Sequence, residues 1–199
     1  LVGSEMCIRD RFKTQVNAKY AFYRTHYVNN DDKLIHVDNL YKQREIYLSS
    51  ANVYSILSNW DVSASYDLQW NKMNADMYGF VYPERFTNLL SVATALRLGK
   101  VKLQASGLAT FINDRVEEGP APEARQILTP AVFASYKPFE KQDFNVRAFY
   151  KRIFRMPTFN DLYYADMGNS KLNPEYVTQY DAGFAYTKTW ELSLIHISE

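Results

Sequence analysis

From Trp60 to Asn71 the chain changes character at every residue. Trp60, Val62, Ala64, Tyr66, Leu68 and Trp70 alternate with Asp61, Ser63, Ser65, Asp67, Gln69 and Asn71. Successive side chains of a β-strand point to opposite faces, so this stretch makes a strand that is greasy on one side and wet on the other. An amphipathic helix cannot use the pattern, because its apolar stripe repeats near 3.6 residues. Tryptophan stands at both ends of the apolar face, about ten residues apart, which matches the spacing of aromatic girdles flanking a hydrocarbon band.

The same alternation recurs along the chain. Phe12, Thr14, Val16, Ala18, Tyr20 and Phe22 oppose Lys13, Gln15, Asn17 and Lys19; Leu90, Val92, Leu96 and Leu98 oppose Ser91, Ala93, Ala95 and Arg97. Val101, Leu103, Ala105, Gly107, Ala109 and Phe111 oppose Lys102, Gln104, Ser106 and Thr110. Phe144, Val146, Ala148 and Tyr150 oppose Asn145, Arg147 and Lys151, and Tyr180, Ala182, Phe184 and Tyr186 oppose Gln179, Asp181 and Gly183. The stretches Arg44 to Leu57 and Gln126 to Lys137 are less regular, and a bulge in either would shift its facing. About eight strands of about 11 to 14 residues result, well above the soluble norm of about 5 to 6.

The connections sort by length. Short turns fall at Ser58-Asn59, Gly99-Lys100, Pro138 to Gln142 and Lys188 to Glu191. Long polar or proline-containing connections fall at Asn29 to Leu40, Asn71 to Thr87, Asn113 to Arg125 and Met156 to Pro174. Up-and-down membrane barrels keep short turns on the periplasmic side and long loops outside. Composition agrees: 12 Phe and 16 Tyr sit in a chain of mean hydropathy -0.38, with the rings interleaved among polar residues. No stretch approaches the roughly 18 apolar residues of a membrane helix, so a membrane could be crossed only by a closed sheet. The expected fold is all-β: a transmembrane antiparallel up-and-down β-barrel, incomplete, with about eight strands of a larger barrel.

Net charge is +1, so no global field points to nucleic acid. The single cysteine, Cys7, offers neither a disulfide nor a thiolate metal cluster. Two terminal stretches, 1–11 and 192–199, resemble translated sequencing adapter and are set aside as non-native, leaving 12–191 as the barrel segment.

Late in the chain, Phe154-Arg155-Met156-Pro157-Thr158-Phe159-Asn160-Asp161-Leu162-Tyr163-Tyr164 is followed by Gly168-Asn169, then Leu172-Asn173-Pro174-Glu175, and then Tyr180-Asp181-Ala182-Gly183-Phe184. This order resembles a motif of TonB-dependent outer-membrane receptors, where an upward strand enters an extracellular loop and a strand returns. Ser135-Tyr136-Lys137-Pro138-Phe139 resembles the family's preceding periplasmic turn, and Ser58-Asn59-Trp60 and Tyr66-Asp67-Leu68-Gln69-Trp70 are similar to its hairpins. The resemblance implies a parent barrel of about 22 strands around a plug. It also implies a bacterial outer-membrane location, contact with outer-membrane lipid, and energy supplied by a TonB complex through an N-terminal region that this chain lacks. The motif residues Phe154, Arg155, Pro157, Thr158, Asn160, Leu162, Tyr163, Gly168, Asn169, Leu172, Pro174 and Glu175 are expected to be architectural. Pro157 has no N–H for a ladder, so pairing should stop or bulge there.

One candidate binding feature stands out. Arg147, Lys151 and Arg155 lie at every fourth position on the wet face of one strand, a basic column that could meet an anionic ligand or carboxylates of the plug. A wall balanced by neighbouring carboxylates such as Asp181 is the plainer and favoured explanation. His26 and His36 flank Asp31-Asp32, and Glu117-Glu118 forms an acidic pair; neither has a diagnostic metal spacing, and solvated loop polarity accounts for both. Met73, Met77 and Met167 are placed in or near loops, with nothing to make them a copper site. No nucleophile elbow, metalloprotease helix or phosphate loop is present. The chain is therefore expected to be no enzyme and to need no cofactor or metal. The expected function is uptake of a bulky nutrient of siderophore, haem, cobalamin or glycan type by energised transport through a TonB-dependent receptor. The alternative is a complete eight-stranded outer-membrane barrel acting as adhesin or anchor, and a soluble lipocalin-type barrel would need the opposite facing.

Overall fold

The computed structural model describes residues 2–7, 11–29, 36–117, 122–140, 143–164 and 168–187, the first stretch as backbone alone. Nine strands follow one another in a single antiparallel sheet whose spatial order is the chain order. They are β1 (Val2–Cys7), β2 (Phe12–Asn29), β3 (Val37–Leu57), β4 (Trp60–Ala75), β5 (Glu84–Leu98), β6 (Val101–Arg115), β7 (Arg125–Tyr136), β8 (Asp143–Arg155) and β9 (Glu175–Thr187). Among the described residues one short helix, α1 (Phe159–Tyr163), sits between β8 and β9. Among the described residues β1 and β9 do not pair, so the sheet is an open wall with two edges.

The register fixes the two faces. Trp60, Val62, Ala64, Tyr66, Leu68 and Trp70 stand opposite Leu96, Thr94, Val92, Leu90, Asn88 and Phe86 of β5. Every one of these points to the same side, and across a broad band that side carries exposed apolar groups: Val16, Tyr20, Leu48, Tyr66, Leu90, Val92, Leu128, Tyr180 and Phe184 among them. Within that band several polar groups are answered locally. Tyr66 Oη donates to Asn88 at 2.7 Å, Trp60 Nε1 to Thr94 Oγ1 at 2.9 Å, and Trp70 Nε1 to Glu84 at 2.5 Å. The opposite face, through Asp61, Asp67, Asn71, Arg85, Thr110 and Asp114, carries the hydrophilic set and also the buried residues. A soluble barrel would invert this arrangement, with its apolar side turned in and packed.

The two-residue turns at Ser58-Asn59 and Gly99-Lys100 lie where expected, with Gly99 supplying a φ of 53° that tight turns demand. The irregularity anticipated in Arg44 to Leu57 is a register shift between Ser55 and Leu57. Strands run longer than anticipated, up to 21 residues in β3, and the connections shrink accordingly to 30–36, 76–83 and 116–124. Above the apolar band the facing changes: outward positions such as Arg24, Lys42 and Lys72 are charged, whereas inward Tyr41, Met73 and Ala75 are apolar and buried, so the alternation of the lower strands reverses while the ladder continues. Met73 lies in β4, two residues from the β4–β5 loop, and is 1% exposed. Pairing of β7 with β8 covers only Ala131 to Tyr136 and halts beside Pro130, which has no N–H to give.

β1 runs antiparallel to the start of β2, Val2 opposite Ala18 and Cys7 opposite Lys13. A free strand edge accepts any extended backbone, since ladder bonds ignore side chains, so this pairing does not bear on whether 1–11 is native.

Candidate functional site

The inward face is crowded at one end only, the end bearing the long connections. There Tyr41 of β3, Met73 and Ala75 of β4, Phe80 of the β4–β5 loop and Phe159 of α1 form one buried cluster. Tyr164 stacks on Tyr41 with ring centroids 4.4 Å apart, and Phe80 meets Tyr41 edge-on at 6.3 Å. The first part of the connection 156–174, residues 156–164, therefore folds inward against the wet face, burying Phe159 and Leu162.

An ion pair anchors the fold-back. Arg85 and Asp114 face each other across β5 and β6. Arg85 Nε and Nη2 donate to the two oxygens of Asp114, both at 2.7 Å, while Arg85 Nη1 donates to the Pro157 carbonyl at 2.7 Å. Its guanidinium also lies 5.1 Å from the Phe159 ring centroid. The two side chains are 9% and 4% exposed. Removal from water would be costly for either charge alone, and the bidentate geometry with a third acceptor offsets it. The planar fork of arginine can hold a carboxylate and a carbonyl at once; a lysine could not.

The family-like motif is built around that anchor. β8 ends at Arg155, opposite Glu175, two residues before Pro157. Arg155 and Glu175 lie 3.7 Å apart at the surface, and the tilted rings of Phe154 and Tyr176 meet on the opposite side of the sheet with centroids 5.3 Å apart. Thr158 is the N-cap of α1: its hydroxyl accepts from the Asp161 amide, and the Asp161 carboxylate accepts from the Thr158 amide at 2.8 Å, a reciprocal capping box. Those bonds hold the Asp161 carboxyl below its ordinary value of 3.8. Burial pushes the Tyr163 phenol up, assisted by the charge of Asp114.

Asn160 is exposed and contributes its carbonyl to the Tyr164 amide, and Leu162 is buried. Gly168 donates to the Tyr164 carbonyl at 2.7 Å, and a Cβ at this position would come within 2.6 Å of that oxygen and 2.7 Å of the Tyr164 nitrogen. Asn169 closes the loop: its amide bonds Asp161, its side chain accepts from Lys171, and its carbonyl accepts from Leu172. Leu172 is exposed, and Pro174 is partly buried before β9 begins at Glu175.

Arg147, Lys151 and Arg155 lie on the inward face of β8, all exposed, opposite Gly183, Gln179 and Glu175 of β9. Arg155 alone among them has an ion-pair partner among the described residues. Asp181 stands opposite Phe149, between Arg147 and Lys151 in register, with no ion pair to either. Between α1 and the middle of the wall lies an open hollow of about 400 Å³, lined by Gln43, Gln69, Asn71, Thr87 and Thr110. Lys151 borders a second, larger one of about 640 Å³, floored by small residues such as Ser63, Ala93 and Ala131.

Other sequence candidates disperse. His26 pairs with Asp38 at 2.5 Å on the outward face, His36 is exposed, and Asp31-Asp32, Glu118 and Met167 lie outside the described residues. Glu117 bridges to Lys72 at 2.9 Å, and no cluster of metal-ligating side chains occurs among the described residues. Sequence reasoning passed over Arg85 and Asp114. The signal was present: the two are equidistant from the Gly99-Lys100 turn, so a regular hairpin must set them opposite.

No curated protein matches this chain. Solved structures share its architecture. A structure named as the copper transporter OprC superposes with a TM-score of 0.65 at 14% identity, covering 89% of this chain and 33% of that one. FpvA of P. aeruginosa, solved with heterologous pyoverdines, gives 0.57 at 16% identity, covering 94% of this chain and 30% of its own. The chain thus spans about a third of the length of these structures. A family model described as "TonB dependent receptor-like, beta-barrel" matches residues 8–197. That family comprises receptors and transporters of the bacterial outer membrane, not enzymes, and this chain belongs to it, as a section of the barrel wall.

Proposed function

We propose that this wall section serves a receptor that captures a bulky nutrient at the cell surface and admits it by TonB-energised transport across the outer membrane. The observation that carries the reading is the inward-folded segment 156–164, anchored by Arg85 and Asp114 over a polar interior. A closed structural barrel has no need of a loop that narrows its own lumen. A transporter does, because a ligand must be held at the mouth before passage. In this reading the long loops select, Arg147, Lys151 and Arg155 line the path for a ligand with anionic groups, and the motif from Phe154 to Glu175 shapes the rim. The plug and the TonB-contacting segment would be supplied by the rest of the receptor. The ligand's chemistry is not inherited from OprC or FpvA, whose identities to this chain support the fold alone.

The test uses the complete receptor carrying this segment, expressed in paired strains with and without a functional TonB. Growth under iron, cobalamin or glycan limitation that depends on both receptor and TonB supports the reading and identifies the ligand class. Arg147→Gln with Lys151→Gln should then weaken capture of an anionic ligand while leaving the barrel folded. Rescue of growth that is indifferent to TonB would sink the transporter reading.

A further inference from the structure

The ladder between β7 and β8 stops half-way up the wall. β7 pairs with β6 over its whole length, Arg125 to Tyr136, and β8 pairs with β9 over its whole length, Asp143 to Arg155. With each other the two strands pair only from Ala131–Lys151 to Tyr136–Val146. Among the described residues, 125–130 of β7 and 152–155 of β8 therefore have a ladder neighbour on one side alone. Pro130, next after the final pair, has no N–H to give, so the break falls where a ladder is weakest.

Above that point β8 leaves the plane of the sheet. In a continuous sheet β8 and β5 lie three strand spacings apart, about 14 Å, yet Arg85 of β5 reaches the Pro157 carbonyl two residues beyond β8. Phe154 gives the direction. It belongs to the outward row of β8 with Ala148 and Tyr150, but it lines the inner hollow beside Thr87, Leu108, Thr110 and Ile112. An outward-row side chain meets inward residues of β5 and β6 only if its end of the strand turns over the inner face of β7. Thr129, on that inner face, is 8% exposed, while Leu128, facing outward, is 64% exposed. β9 follows the turn, because its ladder with β8 runs unbroken to Arg155–Glu175. The upper hairpin is thus one arm, leaning inward, held by Arg85, by the buried Phe159 and by Tyr164 stacked on Tyr41.

The two bare edges match each other. Continuing the register of Ala131–Lys151 sets Thr129 opposite Ile153 and Leu128 opposite Phe154. β-Branched and aromatic residues suit a strand, and Leu128 with Phe154 would make an apolar cross-strand pair on the outward side, where Leu128 now stands exposed. We propose that the arm, residues 152–164 with 175–178, is a hinged section of the barrel wall with two seats. In the observed seat Arg85 latches it inward over the hollow. In the second it swings out about the Ala131–Lys151 pair, zips onto the bare edge of β7 and clears the lumen. The first seat gains the burial of Phe159 and Leu162, and the second gains backbone ladder and the Leu128–Phe154 contact, so the element has two discrete packings to choose between. As a hinge the arm stands on geometry; as the step that admits a nutrient it rests on the transporter reading.

The experiment uses the complete receptor in lipid vesicles, in a background without other cysteines. Leu128→Cys with Phe154→Cys supplies thiols that join only in the second seat, since a disulfide needs Cβ atoms about 4 Å apart. Val132→Cys with Tyr150→Cys, paired below the hinge, reports an intact wall and should join equally in every variant. Joining of the upper pair should be slow in the parent and on the order of tenfold faster once the latch is cut. Arg85→Gln with Asp114→Asn cuts the latch without orphaning a charge. Phe159→Ala cuts it with the ion pair kept, and decides the matter if the first variant loses the lower crosslink. An upper pair that never joins, or that joins at one rate with and without the latch while the lower pair forms normally, overturns the hinge and leaves the transporter reading intact. Latch-controlled joining in a receptor whose rescue of growth ignores TonB keeps the hinge and removes its part in admission.

Discussion

Arg85 concentrates more consequences than any other side chain in the described wall. Truncating it to alanine strands the Asp114 carboxylate, which is 4% exposed, and frees the Pro157 carbonyl. Orphaning one partner of a buried pair costs about 3–5 kcal/mol, so Arg85→Ala should lower the stability of the complete receptor by about that much. It should also open 156–174 to protease. Arg85→Lys should rescue only partly, because a point charge cannot reproduce the fork. Cleavage rates within 156–174 for the two variants check this; equal protection of parent and alanine variant would remove Arg85 from the role of anchor. Gly168 makes a steric prediction. Its missing Cβ leaves room for the Tyr164 backbone, so Gly168→Ala should shift the loop and raise its hydrogen exchange without touching any charge. Asp161 gives a pH signature. Its carboxyl is held below 3.8 in the folded loop by the Thr158 amide and hydroxyl. The cap is therefore at full strength above that ordinary value, and it fades as pH falls through the lower folded-state value. Amide exchange across 158–164 should quicken in that acidic window, and in Asp161→Asn the step should be absent.

Elements differ in how far the chain declares them. β4 is legible because Trp60 to Asn71 alternates without interruption, and Gly99-Lys100 is legible because glycine supplies a positive φ between two periodic runs. Once that turn is fixed, the opposition of Arg85 and Asp114 follows from counting outward. The upper ends of β2, β3 and β4 are not legible. Beyond the apolar band the charged residues turn outward while Tyr41, Met73 and Ala75 turn inward beneath a loop distant in sequence. That reverses the pattern that marks the lower strands, while backbone alone makes the ladder bonds. α1 was hidden for another reason. Five residues are too few for a 3.6 period to show, and a helix that short is not stable on propensity. What forms it is the capping box at one end and the burial of Phe159 and Leu162 against the wall, which depends on strands far away in sequence. Thr158→Ala should therefore cost about 1 kcal/mol through the lost cap. Leu162→Ala should cost about 2–5 kcal/mol through the lost packing. A larger loss of loop protection in the alanine-cap variant than in Leu162→Ala would mean that capping, not burial, holds α1 in place.

The whole molecule is decided by which side of the sheet meets lipid. Val92 and its neighbour Ser91 offer a matched pair for asking, since both lie in the middle of β5 and they face opposite ways. Val92 is 53% exposed on the apolar side, between Ala64 and Gly107 across the ladder. If hydrocarbon covers that side, an arginine there must be desolvated or must bend its way to the interface. The cost is about 2–4 kcal/mol near the bilayer midplane. Ser91→Arg turns into the wet interior, where small residues such as Ser65 flank it and the guanidinium can stay hydrated. Measured by unfolding of the complete receptor from lipid vesicles, Val92→Arg should be the costlier of the two by most of that amount. In water the order should weaken or reverse, because an exposed valine replaced by arginine on a solvated face is worth only about ±0.5 kcal/mol. The comparison separates lipid contact from mere sheet disruption, since strand, backbone and introduced side chain are the same and only the facing differs. Two substitutions of equal cost in vesicles would mean that the apolar side is covered by something other than lipid, and the membrane wall would have to be given up.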